Sequence, residues 1–225
     1  MGGFANNAPI VTDGLVFYVD AGNSKSYPGS GTTWSDLIGN NNGTLTNGPT
    51  FDSANAGSVV FDGVDDYIQF NQSISLTEAT FIAWIKKDGQ QNNWTGILFS
   101  RGGGGVTGLG YKSNTNQIGY HWNDSSSTYN WSSGLTPPDG EWCMAVISVS
   151  STAATAYLYQ ESGTTSATNT VSHSSTTLGN LVIGRDPKGA SRSMSGNFAI
   201  GQIYNKALSA AEILQNYNAL KNRFV

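Results

Sequence analysis

Apolar and polar residues alternate along this chain in short bursts, and nearly every burst is bounded by Gly, Asn, Ser or Thr. Extended segments are expected at 15–20, 58–61, 66–70, 80–85, 96–100, 108–111, 117–122, 142–149, 154–159, 180–184 and 198–204. Many short strands separated by turn-forming residues predict an all-β sandwich or barrel. Segments 156–159 and 118–122 alternate cleanly, so one face packs while the other meets solvent or ligand. Phe61 to Ile68 reads F-D-G-V-D-D-Y-I, which predicts two strands folded as a hairpin about Asp62-Gly63, with Gly63 taking the positive φ of a tight turn. Residues 102–105, 124–128 and 172–177 read as loops. One helix is expected near the end: Ser209-Ala210-Ala211-Glu212 is a capping box, and Ile213, Leu214, Tyr217 and Leu220 then share a face that docks on the sandwich.

The 225 residues suit one domain, 1–225, with 1–12 as an extended N-terminal arm. Charged residues are only 12% of the chain, the deficit being filled by Gly, Ser, Thr and Asn. The net charge of -4 and the lack of any Lys/Arg run argue against nucleic acid as a partner, which needs a basic face. Lys86-Lys87 is expected at a solvated strand end. Cys143 is alone, and W-C-M-A-V-I-S-V makes it a small buried hydrophobe rather than a catalytic thiol. No stretch approaches the ~18 apolar residues of a span, so no membrane insertion is expected. The start, M-G-G-F-A-N-N-A-P-I, lacks the charged and apolar regions of a secretory signal.

Several strings, taken in order, point to one family. F-D-G-V-D-D-Y-I is followed by A-T-F-I-A-W-I (79–85), G-I-L-F-S-R (96–101), W-C-M-A-V (142–146), L-V-I-G-R-D (181–186) and I-Y-N-K-A-L-S-A-A-E-I (203–213). Together they resemble the laminin G-like, concanavalin A-like jelly rolls, which implies an all-β, two-sheet antiparallel jelly-roll sandwich with one short C-terminal helix. The run G-L-V-F-Y-V-D-A-G-N from Gly14, with S-Y-P-G-S-G-T-T-W-S-D-L from Ser26 to Leu37, is most similar to short stand-alone proteins of this type from tailed bacteriophages. That resemblance implies a virion structural or capsid-decorating protein, assembled in the host cytoplasm, displayed on the virion surface and touching capsid or other virion proteins. It also implies adhesion to cell-surface or extracellular glycans. A free bacterial glycan-binding lectin is the alternative, and a glycoside hydrolase a further one.

The residues bear on these choices. Retaining glycosidases on such sandwiches need two carboxylates about 5 Å apart, often as E-x-D-x-x-E on one strand. Glu78, Glu141, Glu161 and Glu212 lie in separate segments, so a non-catalytic protein is expected. No cofactor is called for. Structural calcium is the one candidate addition, because related jelly rolls hold it with loop oxygens, here Asp62, Asp65 and Asp66, or Asp20 with Asn23, or Asp36 with Asn40. Turn chemistry accounts for most of these acids. The carbohydrate site is expected at Asn93, Trp94, Tyr120, Asn123, Asp124, Tyr129 and Trp131, where rings to cover a pyranose sit beside short groups that bond its hydroxyls. Exposed tryptophans also anchor protein interfaces. Tyr120 and Trp122 share one strand face, which is either inner or ligand-facing. Trp122 is assigned to the core, Tyr120 is kept with the site, and Trp34 is read as a structural plug.

Overall fold

The computed structural model describes residues 8–39, 41–102 and 105–224. Among them fifteen strands form: β1 Leu15–Asp20, β2 Thr33–Trp34, β3 Gly43–Thr46, β4 Thr50–Asp52, β5 Ser58–Asp62, β6 Tyr67–Leu76, β7 Ala79–Lys87, β8 Gly96–Gly102, β9 Gly105–Tyr111, β10 Ile118–His121, β11 Cys143–Val149, β12 Ala154–Gln160, β13 Gly163–Asn169, β14 Thr176–Ile183 and β15 Ser195–Tyr204. Two short helices join them, α1 Ser126–Tyr129 and α2 Ala210–Leu220. One antiparallel sheet runs β13-β12-β11-β7-β15-β5-β4, with β1 also on β15; the other runs β10-β9-β8-β14-β6-β3-β2. The spacing leaves a sandwich or a barrel open; two sheets form, the jelly-roll sandwich that the family resemblance implies.

The two sheets are dressed differently. Their facing sides share one core that includes Phe17, Trp34, Phe61, Phe70, Phe81, Tyr120, Trp122 and Phe198. The first sheet also buries its outer face, where Trp84, Met144, Tyr159 and Tyr204 meet Ile213 and Tyr217 of α2. Burial on both faces explains why β11 is buried at every position, and apolar at all but Ser148, instead of alternating. The capping box of α2 forms as predicted, Ser209 Oγ accepting from the Glu212 amide while the Glu212 carboxylate accepts from the Ser209 amide. Leu214, assigned to the packed face, is instead 46% exposed, since the helix buries Ile213, Asn216 and Tyr217.

The F-D-G-V-D-D-Y-I string corrects the hairpin expectation. Gly63 does adopt φ +78, but β5 pairs with β15 and β4, whereas β6 pairs with β14 and β3. The turn therefore carries the chain from one sheet to the other. Phe61 and Ile68 both bury in the core between them. Side chains replace the missing ladder: Asp62 Oδ1 accepts from the Val64 amide at 2.8 Å, and Asp66 Oδ2 accepts from the Asp62 amide at 3.1 Å.

Other expectations are refined. Strands β2, β3, β4 and β13 are short, edge-lying or polar and carry no apolar alternation that would mark them. Lys87 is not solvated; it is buried, and its Nζ bonds Asp139 at 2.9 Å. Cys143 is buried, and burial pushes its thiol up to about 12. Trp34 is fully buried with Nε1 donating to Ser26 Oγ. Gly102 and Gly105, expected in a loop, instead pair across β8 and β9; Gly103, Gly104, most of the 1–12 arm and Asn40 lie outside the described residues.

Candidate functional site

The outer face of the second sheet carries the site at its β8–β10 end, where α1 lies against β10. Along β10, Ile118 and Tyr120 point into the core, so His121 points outward. His121 and Phe99 both register with Gly108 of β9 between them. Any Cβ at Gly108 would lie 2.5 Å from the Leu98 carbonyl, and with φ at +150 the position suits glycine alone. The gap lets the His121 and Phe99 rings meet edge-on at 5.0 Å.

Loops then build walls over His121. After β10, Asn123 and Asp124 take consecutive positive φ values of 51 and 54, a tight reversal suited to Asn and Asp. The reversal feeds α1, and Tyr129 at its end stacks on His121 at 5.3 Å with 27° between planes. From the other side Trp94, also at positive φ (58), stands edge-on to Tyr129 and to His121. The 92–95 loop that offers it is fixed by Asn92 Nδ2, which donates to the Gly63 and Ser193 carbonyls.

The floor and far wall are charged. Asp186 is fully buried after β14 and is gripped by Arg101, through Nε and Nη2, and by Arg192 through Nη1. Burial alone would raise its carboxyl, but hydrogen bonds from Arg101, from the Lys188 amide and from Arg192 outweigh burial and hold it below the usual range. His121 is driven down to about 4 by burial, so its imidazole is neutral at pH 7. Its buried Nδ1 has no hydrogen-bond partner and faces the Asp124 carboxylate at 3.7 Å. Trp94, Arg101, His121, Asp124, Tyr129, Lys188 and Arg192 together enclose a cavity of ≈ 260 Å³.

Of the residues expected at the site, Trp94, Asp124 and Tyr129 converge on this cavity. Tyr120 does not. It is buried in the inter-sheet core, its hydroxyl bonded to His173 Nε2 at 2.9 Å and to Asn169 Nδ2 at 3.0 Å, because the alternation of β10 turns it inward with Trp122. Trp131 is half-buried and packs against that core, edge-on to Tyr120 at 5.9 Å, instead of standing free. Asn123 spends its amide on Ser174 and on the Ser175 carbonyl. Asn93 is exposed, its Oδ1 accepting from the Asn114 amide. Sequence reasoning missed His121, Arg101, Lys188 and Arg192. Once Trp122 is assigned to the core, alternation alone places His121 on the opposite face.

The calcium candidates separate. Asp20 is engaged by Arg223 Nη1 at 2.8 and 2.9 Å, and Asn23 Oδ1 accepts from the Lys25 amide. Asp36 Oδ1 accepts from the Tyr18 and Ile38 amides. Asp62, Asp65 and Asp66 each bring one carboxylate oxygen within 4.8 Å of the others, the donor type a hard cation takes.

Comparison with known proteins bears on the whole chain. The sequence profile of the concanavalin A-like lectin/glucanases superfamily matches residues 62–214. No curated protein sequence matches. Among solved structures, the chain is similar to Trypanosoma rangeli sialidase, with a TM-score of 0.64 at 16% identity over 96% of this chain and 34% of that one. It thus spans about a third of the sialidase. It is also similar to domain 4 of AbnA, an extracellular arabinanase from Geobacillus stearothermophilus in complex with arabinotriose, with a TM-score of 0.64 at 18% identity over 91% of this chain and 98% of that domain. The binding domain of Paraclostridial Mosquitocidal Protein 1 has a TM-score of 0.54 at 14% identity, covering 90% of this chain and 52% of that one.

Proposed function

Because the chain belongs to the concanavalin A-like lectin/glucanases superfamily, we propose that it is a non-catalytic carbohydrate-binding module whose ligand sits in the cavity at the β8–β10 end. The observation that carries this reading is the wall of three rings, Trp94, Tyr129 and His121, facing Asp124 and the basic groups across ≈ 260 Å³. A ring face covers the apolar C–H patch of a sugar while the charged groups bond its hydroxyls. The similarity to a domain solved with arabinotriose supports a sugar ligand.

Hydrolysis fits the same groups less well. A glycosidase acid must be protonated near neutral pH, and Asp186 is held ionised between two arginines. The test is affinity electrophoresis and calorimetry of the full chain against a polysaccharide panel, with Trp94→Ala and a reducing-sugar assay run alongside. We expect retention by at least one polysaccharide, loss of it in the variant, and no sugar release. Release of reducing ends would make the protein a hydrolase, and unchanged retention in Trp94→Ala would remove the cavity from the function.

The place of action is part of the proposal. The N-terminal strings starting at Gly14 and Ser26 support a decorating protein on a phage virion, bound to capsid or other virion proteins, where many copies turn weak single-site affinity into adhesion. A free bacterial lectin is the alternative. Mass spectrometry of purified particles separates the two: the chain is found at stoichiometric level if it is a virion component.

A further inference from the structure

The cavity holds more positive charge than a neutral sugar needs. Arg101, Lys188 and Arg192 line it, opposed by Asp124 at the rim and Asp186 beneath. Three cations against two carboxylates, with His121 neutral, leave a locally positive site on a chain whose net charge is -4. The single Asp186 carboxylate is shared by two guanidiniums. Arg101 uses Nε and Nη2 on it and Arg192 uses Nη1, so among the described residues N–H groups on both remain for a ligand. Lys188 is exposed and forms no ion pair among the described residues. Its position is nevertheless set, because its backbone amide donates to Asp186 Oδ1 at 3.0 Å. Asp186 thus acts as a buried anchor that holds three cationic residues in the lining of the cavity.

We propose that this site selects acidic sugars, specifically a pyranose bearing a carboxylate such as a hexuronic acid, with its ring against Trp94 and its carboxylate against Arg192 and Lys188. This rests on the carbohydrate reading above. A planar guanidinium matches a carboxylate in directional, charge-assisted bonds, and the lysine adds a point charge beside it. Asp124 also lines the cavity, its carboxylate 3.7 Å from His121 Nδ1, and its oxygens are acceptors suited to ring hydroxyls.

The test uses the full chain and paired ligands: polygalacturonate, alginate and hyaluronate, each beside its carboxyl-reduced form, with dextran sulfate as a polyanion without carboxylates. Trp94→Ala and Lys188→Gln are run with the wild type, and melting temperature confirms the fold of each. Binding to at least one acidic polysaccharide, weakened tenfold or more by carboxyl reduction, by Lys188→Gln and by Trp94→Ala, supports the proposal. Equal binding of the reduced form, with no effect of Lys188→Gln, overturns it while leaving the carbohydrate reading intact. Dextran sulfate binding that ignores Trp94→Ala overturns it in favour of a simple polyanion patch. Absence of binding by every polysaccharide, acidic or neutral, overturns the carbohydrate reading itself.

Discussion

The indole of Trp94 stands edge-on to the Tyr129 ring, with 5.6 Å between centroids and 85° between planes. Trp94 reaches that position from a left-handed backbone, φ +58, which an L side chain adopts at a cost of roughly 1–2 kcal/mol. Two truncations should therefore differ. Trp94→Gly, which relieves the backbone, should be the more stable by up to about 1 kcal/mol after its own entropic cost, while both lose sugar retention alike. Chemical denaturation of the pair checks this, and a Trp94→Ala variant more stable than Trp94→Gly would deny the strain.

Tyr120 should matter to folding and not to binding. His173 Nδ1 lies 2.9 Å from the Ser150 carbonyl, so that nitrogen carries the proton and Nε2 accepts from the Tyr120 hydroxyl. Asn169 in turn donates to the same hydroxyl, and burial pushes the phenol up to about 12. Tyr120→Phe leaves two buried groups short of a partner and should cost about 1–3 kcal/mol in urea unfolding. Polysaccharide retention should be unchanged.

Tyr120 also marks where the sequence could be read and where it could not. The all-β architecture was legible because period-two alternation and turn residues are local signals, as was the Ser209 capping box. Trp94, Asp124 and Tyr129 were legible as rings and acids in polar loops. Which face of 118–122 looks inward was not, since Tyr120 and Trp122 suit either side and only pairing with β9 decides it. The partners Arg101, Asp186 and Arg192 come from different segments, 85 residues separating the first pair. No spacing rule reports such a meeting. The Asp62-Gly63 turn misled for a related reason: a tight turn fixes the local bend but not the strands' partners.

Removing Asp186 should be among the costliest single changes at the site. Its carboxylate is fully buried and neutralises two arginines that are themselves mostly buried. Asp186→Ala strands both cations and should cost about 3–5 kcal/mol in equilibrium unfolding. Arg192→Ala should cost less than Arg101→Ala, because Arg101 contributes two of the three guanidinium bonds to Asp186. A reversed order would shift the anchoring role to Arg192.

Acid should weaken the fold through His121. Burial lowers it from 6.5 to about 4; Asp186 and Asp124 pull upward, and Arg101 and Arg192 press down. The unfolded chain takes up this proton below about pH 6.5, whereas the folded chain refuses it until near pH 4. Stability should therefore fall as pH drops through that window, by about 3–4 kcal/mol for the full shift. His121→Gln cannot take up the proton in either state, so urea unfolding at pH 7.5 and 4.5 should show a smaller acid loss in the variant than in the wild type.

Asp66 should titrate with the opposite sign. Its carboxyl is buried, Oδ1 has no partner, and Oδ2 accepts from the Asp62 amide. Burial raises its pKa first, and the neighbouring charges of Asp62 and Asp65 add to that. A carboxyl raised in the folded state favours folding in its neutral form, and that benefit disappears as pH rises through the folded pKa. Asp66→Asn keeps an oxygen for the Asp62 amide and removes the charge from the crowded turn. In buffer containing EDTA, so that no divalent cation offsets the repulsion, the variant should melt above the wild type at pH 7.5. The gap should narrow as the pH is lowered and the wild-type carboxyl takes up its proton. A variant that melts lower at pH 7.5 under the same chelation would mean that the ionised Asp66 has a favourable partner in the turn, and that the crossing between sheets depends on its charge.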